Sequence, residues 1–325
     1  MTLIRSEIIG WGHYLPKKIV TNDDLAKIVD TNDEWISTRT GIKTRHIVED
    51  ELTSDLAFHA AEMALSRAGL SAEDIELIVV ASVTPDNTTP SVATKLSNRL
   101  GVKVGTPAYD ILAACSGFVY ALTQADNMIR LGQVKTALVI GAESLSKIVD
   151  WTDRNTCVLF GDGAGAVVLR AKEGEGAKTD TGILATKIYA DGSHYDHLKT
   201  NGGVSSTQNA GVVSMDGKEV FKYAIGSLSQ AAETVTAMAG YTNADIDWLI
   251  PHQANIRIIS NVGEKLELPE EKVIVAVDHH GNTSAASIPL AFSENMESGK
   301  IKKGDLVVFT AMGAGFTWGG AAIRL

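Results

Sequence analysis

The stretch that decides the fold occurs twice, as "RAGLSAEDIELIVVASV" at residues 67–83 and as "MAGYTNADIDWLIPHQA" at residues 238–254. Both copies read Ala-Gly, a bulky residue, Ser or Thr, two variable positions, Asp-Ile, an acidic residue and then an apolar run. The second copy begins about half a chain length after the first, and internal repetition at a fixed offset is the signature of duplicated structure. The sequence therefore predicts two similar halves.

The segments around the two copies also repeat, and they alternate between helical and strand-like patterns. A helical pattern precedes each copy and ends at a glycine, Gly69 or Gly240. A helix, a strand, a strand-to-helix junction and a last strand follow, and in the second half the first of these strands is "KVIVAV" at 272–277. This alternation predicts an α/β protein with two sheets and helices between and outside them. We divide the chain into halves at residues 1–172 and 173–325.

Composition narrows the class of protein. The chain has 325 residues, a formal net charge of −10 and two cysteines. A negative charge argues against nucleic acid as the main partner, and two cysteines in a chain of this size fit a reducing compartment. No run reaches the roughly 18 apolar residues of a membrane helix, and the first residues lack a signal-peptide pattern. We expect a soluble, cytoplasmic protein that binds neither nucleic acid nor a membrane.

Cys115 is the first candidate for chemistry. It lies in "YDILAACSGFVYALTQADNMIRLG", residues 109–132, between an apolar strand pattern and a helical pattern. A thiol at a helix N-terminus has a lowered pKa and becomes a better nucleophile, and the small residues around Cys115 would let a substrate approach. The alternative is a small buried core residue, and we assign that role to Cys157.

Two residues of the second half occupy similar junctions. His252 follows a strand in "PHQANIRI", and Asn282 follows a glycine where "DHHGNTSAAS" enters a helix. Each has an ordinary explanation, as an exposed histidine and as a helix N-cap. Together with Cys115, however, they place three reactive side chains at the carboxyl ends of strands, where α/β proteins build their sites. His194 and His197 have only loose metal-ligand spacing, so we expect no metal site.

Glycine-rich segments at 160–170 and 312–320 are poor phosphate loops. Neither ends in Gly-Lys-Ser or Gly-Lys-Thr, and both continue into strand-like residues. We interpret them as tight strand connections whose backbone N–H groups can approach a ligand.

Five motifs in order resemble those of the β-ketoacyl-acyl carrier protein synthases III, a family of the thiolase-like superfamily. They are "AACSG", "GDGAGA", "HQAN" with "RI", "GNTSAASIP" and "GAGFTWG", and "TNDEWISTRTGIKTRHI" near the start also fits. The resemblance runs from about residue 8 to the end. It implies a five-layered α-β-α-β-α fold of two duplicated halves, a homodimer, and an acyltransferase that performs the first condensation of type II fatty-acid synthesis.

The resemblance also implies roles for the three candidates. Cys115 looks like the nucleophile that takes an acyl group, usually acetyl, from coenzyme A. His252 and Asn282 look like the pair that stabilises the enolate formed when malonyl-acyl carrier protein loses CO2. Two preorganised donors suit a developing oxyanion, and loss of CO2 removes the need for a base. The backbone N–H groups of Cys115 and Ala314 would bind the acyl oxygen, although family members often have glycine at position 314.

Further residues are implied to bind substrates, and no cofactor is expected because the coenzyme A thioester is itself a substrate. Trp35 and Arg154 resemble the residues on either side of the adenine, a geometry suited to stacking and cation–π contact. Other residues would line the tunnel or acyl pocket: Thr31, Arg39, Asn255, Phe221 and Phe160. Residues proposed to dock the acidic acyl carrier protein are Lys222, Arg257 and Lys265. Thr89 replaces a bulky aromatic found in some short-chain members.

Two other classes of function remain open at this point. One is a different thiolase-like enzyme, such as a polyketide-type synthase or another acyltransferase. The other is a non-catalytic dimerisation partner, but such subunits lose the cysteine, whereas this chain keeps Cys115, His252 and Asn282.

Overall fold

Strands and helices alternate along the chain as the repeat predicts. The computed structural model describes residues 3–325. The strands are β1 (Leu3–Tyr14), β2 (Lys18–Thr21), β3 (Thr44–Ile47), β4 (Ile78–Ala81), β5 (Ala108–Ile111), β6 (Thr136–Ser144), β7 (Asp162–Gly174), β8 (Gly182–Ala190), β9 (Leu198–Thr200), β10 (Val213–Met215), β11 (Trp248–Pro251), β12 (Leu306–Gly313) and β13 (Thr317–Arg324). The helices are α1 (Asn22–Leu25), α2 (Asp33–Thr40), α3 (Thr53–Ala68), α4 (Val92–Leu100), α5 (Gly117–Arg130), α6 (Gly217–Met238), α7 (Ile256–Lys265), α8 (Val277–His280) and α9 (Ser287–Glu297).

Two large sheets have matching topology. The first has the order β1-β7-β6-β4-β5, and the second has the order β8-β13-β12-β11. In the first sheet β4 is parallel to β6 while β7 is antiparallel to both of its neighbours. The second sheet repeats this, because β11 is parallel to β12 while β13 is antiparallel to both of its neighbours. The duplication read from residues 67–83 and 238–254 is therefore a duplication of structure.

The helices divide into three layers around these sheets. α3 packs against β1, β6 and β7 on the outside of the first sheet, and α6 packs against β8, β12 and β13 on the outside of the second. α5 and α9 lie between the sheets and contact strands of both. The result is the predicted five-layered α-β-α-β-α arrangement.

The middle layer explains why α5 and α9 are apolar. Phe118 and Leu122 of α5 and Phe292 of α9 are buried in one cluster with Phe309 of β12. The Phe292 and Phe309 rings meet edge to face, with centroids 5.4 Å apart. Burying a side chain of this size stabilises the fold by roughly 1.5–3 kcal/mol. This burial holds α5 and α9 side by side, and the residues preceding both helices form the site.

One predicted strand is absent. "KVIVAV" forms a single bridge, Val273 to Leu249, instead of a fifth strand of the second sheet. The side chain of Gln253 takes up the backbone groups that a strand partner would use: its Nε2 donates to the Ile274 carbonyl at 3.2 Å, and its Oε1 accepts from the Ala276 N–H at 2.8 Å. The apolar pattern correctly indicated a buried, extended segment, but hydrogen bonds from the Gln253 side chain replace the backbone hydrogen bonds to a neighbouring strand.

Other local predictions hold. α3 ends where Gly69 adopts φ 64° and donates its N–H to the Leu65 carbonyl, a left-handed helix cap. The proposed division between residues 172 and 173 falls two residues before the end of β7, and it stays a prediction. Within residues 3–325, no helix is both long and apolar enough to cross a bilayer.

Candidate active site

Two strained elbows precede the central helices. Ala114 has φ 46° and Ser284 has φ 49°, and each begins a short 3-10 turn that runs into α5 or α9. A non-glycine residue in the left-handed region is uncommon and clusters at functional sites. The elbows touch each other, because a Cβ added to Gly117 would lie 3.5 Å from the Cβ of Ala285. Small residues therefore bring the two halves into contact at the residues that carry the chemistry.

One cavity collects the three candidate residues. It has a volume of about 480 Å³, and its wall includes Cys115, His252 and Asn282 together with Ser284 and Ala314. Cys115 is partly exposed, whereas Cys157 is fully buried. The structure thus brings the thiol of one half together with the imidazole and the amide of the other.

The thiol is not acidic in the free protein. Burial raises the pKa of Cys115 to about 11, and the Glu143 carboxyl adds to this while the Ser284 hydroxyl beside the thiol opposes it. The prediction of a lowered pKa is wrong for this state. Cys115 lies inside a three-residue 3-10 turn rather than at the first turn of α5, which starts at Gly117. Loss of hydration therefore outweighs the helix terminus.

His252 is a neutral donor. Burial lowers its pKa to about 4, so the ring carries no charge at neutral pH. Its Nδ1 lies 2.7 Å from the hydroxyl of Ser287, and that hydroxyl accepts the Gln253 N–H at 3.4 Å. These contacts fit the neutral tautomer in which the Ser287 hydroxyl donates to Nδ1 and the imidazole hydrogen is on Nε2.

Asn282 is oriented in the same way. Its Oδ1 accepts the N–H of Ser284 at 2.9 Å, so the Nδ2 group is left to donate elsewhere. The backbone of Asn282 forms a parallel bridge with Phe160, and its N–H donates to the Leu159 carbonyl at 2.8 Å. With one donor fixed on His252 and one on Asn282, the pair can bind an oxygen on which negative charge develops.

The loop between β12 and β13 completes the surroundings of Cys115. A Cβ added to Gly313 would lie 2.5 Å from the backbone nitrogen of Cys115, so only glycine fits there. Ala314 lines the cavity and is not among the non-glycine residues with positive φ in the described chain. Thr317 Oγ1 lies 2.8 Å from Ser116 Oγ and 3.1 Å from the Ala113 carbonyl, which ties this loop to the Cys115 elbow.

The remaining predicted residues fall into two places. Phe160, Phe221 and Asn255 line the cavity. Trp35, Arg39 and Arg154 form a separate cluster outside the cavity lining, with Arg39 4.4 Å and Arg154 5.0 Å from the indole centroid. Arg154 already covers the indole, so an adenine can enter between them only if Arg154 moves. The Thr31 hydroxyl is a buried polar atom without a hydrogen-bond partner.

The predicted docking residues are all exposed, and two of them, Lys222 and Arg257, adjoin Phe221 of the cavity wall. The Arg257 guanidinium lies 5.1 Å from the ring of Phe221, which lines the cavity. Lys222 is exposed and pairs with Glu219 at 3.5 Å. Lys265 is exposed at the far end of α7, about 12 Å from Arg257 at 1.5 Å per helical residue.

Sequence reasoning missed the residues that orient the others. Ser287, Gln253 and Ser284 are all buried. The Ser287 hydroxyl lies beside His252 Nδ1 and accepts the Gln253 N–H, and the Ser284 N–H donates to Asn282. The only signal in the sequence was the density of serines after Asn282. His194, which was considered as a metal ligand, instead packs on the rings of Tyr223 and Phe316.

Family models match most of this site. The model described as 3-oxoacyl-[acyl-carrier-protein] synthase III matches residues 109–192, and the one described as its C-terminal region matches residues 236–325. The chain belongs to the β-ketoacyl-acyl carrier protein synthase III family. Membership makes it an acyltransferase of the condensing-enzyme class and explains the thiolase-like layers.

Relatives of this family align over the full length. The β-ketoacyl-acyl carrier protein synthase III of Rhodospirillum centenum is 57% identical over 322 residues, covering 99% of both chains, and that of Paramagnetospirillum magneticum is 56% identical, covering 99% of this chain and all of that one. The crystal structure of the Aquifex aeolicus 3-oxoacyl-acyl carrier protein synthase III superposes with a TM-score of 0.93 at 49% identity, covering 98% of this chain and all of that one.

Proposed function

We propose that this chain is the initiating condensing enzyme of type II fatty-acid synthesis and that Cys115 carries the acyl group. In the first half-reaction, the Cys115 sulfur attacks the carbonyl of an acyl-coenzyme A, and coenzyme A leaves as a thiolate. The acyl group that we propose is acetyl. In the second, malonyl-acyl carrier protein loses CO2, and the resulting carbanion attacks the acyl-enzyme. The product is a β-ketoacyl-acyl carrier protein, and Cys115 is released.

The shared cavity carries this proposal. The enolate oxygen formed by loss of CO2 needs two donors that are already in place, and His252 and Asn282 each have one donor fixed by a neighbour. The N–H groups of Cys115 and Ala314 are assigned to the acyl oxygen of the thioester. A neutral imidazole suits this role better than an imidazolium, because it donates without adding a charge that must be desolvated.

Several features support the proposed substrates. The cluster of Trp35, Arg39 and Arg154 offers an aromatic face and two cations to the nucleotide end of coenzyme A. Arg257, Lys222 and Lys265 are assigned to the acidic acyl carrier protein, where local positive charge is useful on a chain of net charge −10. The proposed chemistry uses a cysteine thioester and requires no cofactor, and we place it in the cytoplasm.

A homodimer is part of the proposal. β5 is the last strand of the first sheet, so one of its edges is free to pair with a second copy. The apolar residues Val104 and Leu112, which flank β5, are 106% and 80% exposed. An unpaired edge flanked by exposed apolar side chains favours association.

The test separates the half-reactions. The protein is incubated with a panel of acyl-coenzyme A thioesters, and the mass of the peptide containing Cys115 is measured. We expect one acyl group on Cys115 and none in the Cys115→Ala variant. Acylated protein is then given malonyl-carrier protein or malonyl-coenzyme A alone, and we expect a β-ketoacyl product only with the carrier protein.

Two outcomes would contradict this function. Acylation at another residue would show that Cys115 does not carry the acyl group. Chain extension with malonyl-coenzyme A alone would indicate a polyketide-type synthase. Arg257→Glu should weaken binding of the carrier protein and reduce its salt dependence, while Cys115 acylation by acetyl-coenzyme A stays unchanged.

A further inference from the structure

Two adjacent histidines and a glutamate form a cluster that the proposed reaction leaves unused. His279 and His280 are the last two residues of α8, and Glu294 lies on α9. One nitrogen or oxygen atom of each side chain lies within 4.8 Å of the corresponding atoms of the other two. Among residues 3–325, no other set of three or more His, Cys, Asp and Glu side chains converges in this way. Imidazole nitrogens and carboxylate oxygens are ligands that zinc and neighbouring transition metals bind.

The two imidazoles contact different oxygens of the same carboxylate. Nε2 of His279 lies 3.4 Å from Glu294 Oε2, and Nε2 of His280 lies 2.9 Å from Glu294 Oε1. The two rings are inclined at 60°, with centroids 4.1 Å apart. Nitrogen and oxygen ligands bound to a tetrahedral zinc ion at about 2.0–2.2 Å are separated from each other by roughly 3.3–3.5 Å. The separations between the imidazoles and the carboxylate are therefore close to those of ligands that share one ion.

One part of the cluster is fixed by packing and another is accessible to solvent. The side chain of His280 is 1% exposed, that of Glu294 is 26% exposed and that of His279 is 47% exposed. The inner imidazole is thus held by its neighbours, while the outer one leaves a path for an ion to enter. Three protein ligands leave the fourth position of a tetrahedral ion for a water molecule.

Asp278 makes the additional contact that orients the outer ligand. Its Oδ1 lies 2.8 Å from His279 Nδ1. A metal-binding histidine usually donates its other ring N–H to a carboxylate or a carbonyl, which fixes the tautomer and the direction of the free nitrogen. When Nδ1–H donates to Asp278, the free nitrogen of His279 is Nε2, on the side of Glu294. Asp278 and Glu294 also place two carboxylates beside the position of a bound cation.

The location of the cluster gives a bound ion a structural consequence. α8 and α9 precede and follow the second elbow, and the segment between them carries Asn282 and Ser284. α9 packs against β1 and β7, and β1 is at the edge of the first sheet opposite β5. The cluster and the edge proposed for dimerisation are therefore at different sides of this sheet.

We propose that His279, His280 and Glu294 bind a divalent transition-metal ion, with zinc as the ion tested, and that the bound ion joins α8 to α9. The site goes beyond the function proposed above, because no step of acyl transfer uses it. We expected no metal from His194 and His197, and the ligands proposed here lie in a different part of the chain. Because folding brings the ligands together, an ion that binds them stabilises the folded chain.

The test begins with zinc binding by EDTA-treated protein. Wild-type chain is dialysed against micromolar ZnCl2, and bound zinc is measured by atomic absorption. We expect one zinc ion per chain and a rise in Tm of about 4 °C when free zinc is about 100 times its Kd. MgCl2 should produce neither, because magnesium prefers oxygen ligands. If His279 and Glu294 form only an ion pair, there will be no bound zinc and no shift in Tm, which would overturn the proposal.

Substitutions then locate the ion. His279→Ala removes the outer ligand and keeps the hydrogen bond between His280 and Glu294, so we expect a folded protein that has lost zinc binding and the shift in Tm. Asp278→Asn should weaken zinc binding about 10–100-fold, the usual cost of losing the contact that orients a ligand. His59→Ala is the matched control. His59 is also accessible to solvent and lies 3.5 Å from a glutamate oxygen, but it is on α3, and this variant should bind zinc as the wild type does.

Zinc also binds thiols, so the proposed site must be distinguished from Cys115 and His252 in the cavity. Cys115→Ala should keep one zinc ion per chain and the same shift in Tm, and loss of zinc from this variant would place the ion at the thiol instead. Unchanged zinc binding by His279→Ala, or binding only at millimolar zinc, would also overturn the proposal. The acylation test of the proposed function uses no metal, so the two proposals can fail independently.

Discussion

At the scale of single residues, a neighbouring group occupies one hydrogen-bonding atom of His252 and one of Asn282. Ser287 occupies one nitrogen of His252, and the Ser284 N–H occupies the oxygen of Asn282. The ring is left with one N–H and the amide with its Nδ2 group, and the direction of each is set by a neighbouring residue. Preorganised donors cost no reorganisation when charge develops, which is why such neighbours matter to rate.

Ser287→Ala tests this orientation. Without the hydroxyl, no donor holds Nδ1 and the imidazole hydrogen is free to move from Nε2. We expect decarboxylation of malonyl-carrier protein to fall by roughly tenfold, the equivalent of one hydrogen bond of about 1.4 kcal/mol. Acylation of Cys115 should continue at the wild-type rate. Both rates are measured by quenched mass spectrometry.

Ser293→Ala is the matched control on the same helix. Ser293 is also buried, but its hydroxyl contacts His13 and Arg67 on the far side of α9. The prediction is wrong if both serine variants lose decarboxylation equally, since that would indicate a general effect on α9.

At the scale of elements, close approach of the two elbows requires residues without side chains. Gly141 of β6 lies under the second elbow, and a Cβ built on it would lie 2.2 Å from the Ala285 carbonyl oxygen. Real Cβ atoms do not approach other atoms so closely, and the atoms nearest this Cβ all belong to the backbone of the elbow, which cannot rotate away. The strand and the elbow must therefore separate if a side chain is added.

Gly141→Ala should accordingly destabilise the fold by about 1–3 kcal/mol, the usual cost of overpacking. It should also slow acylation, because moving Ala285 disturbs the contact between the elbows. Urea unfolding gives the change in the free energy of unfolding, and acylation is followed as above.

Gly226→Ala provides the contrast. Gly226 lies inside α6 with no atom within 4 Å of a built Cβ, so alanine should raise the free energy of unfolding by about 0.5–1 kcal/mol. Equal free energies of unfolding for the Gly141 and Gly226 variants would show that the close packing of Gly141 against Ala285 does not contribute to stability.

At the scale of the whole molecule, the free edge of β5 is the place where we propose that a second copy pairs. The carbonyls of Pro107 and Ile111 accept from β4, so the backbone groups of Ala108 and Asp110 point to the opposite, open edge. Pairing with a second copy at this edge would extend the sheet and cover the apolar residues beside it.

Ala108→Pro removes an outward N–H without removing a bond to β4. We expect it to shift the protein from dimer to monomer in sedimentation experiments at micromolar concentration. Ala108→Val keeps the N–H and should remain dimeric. A dimeric proline variant would place the interface elsewhere.

The duplicated architecture was predictable from the sequence because it depends on patterns within single segments of the chain. The repeat at 67–83 and 238–254 predicted two matching halves, since periodic apolar patterns and glycine caps act within one segment. Family motifs then indicated Cys115, His252 and Asn282, which share a cavity. The prediction of a strand at "KVIVAV" was wrong because the side chain of Gln253, about twenty residues earlier in the chain, bonds to the backbone of this segment in place of a neighbouring strand.

What the sequence determined alone is the duplicated α/β architecture and the identity of three side chains at strand ends. The tertiary structure decided their state: a thiol with a raised pKa, a neutral imidazole, and an amide whose oxygen is occupied by the Ser284 N–H. Protonation and donor direction depend on burial and on neighbours from the other half of the chain. Those neighbours meet only when the two halves fold against each other.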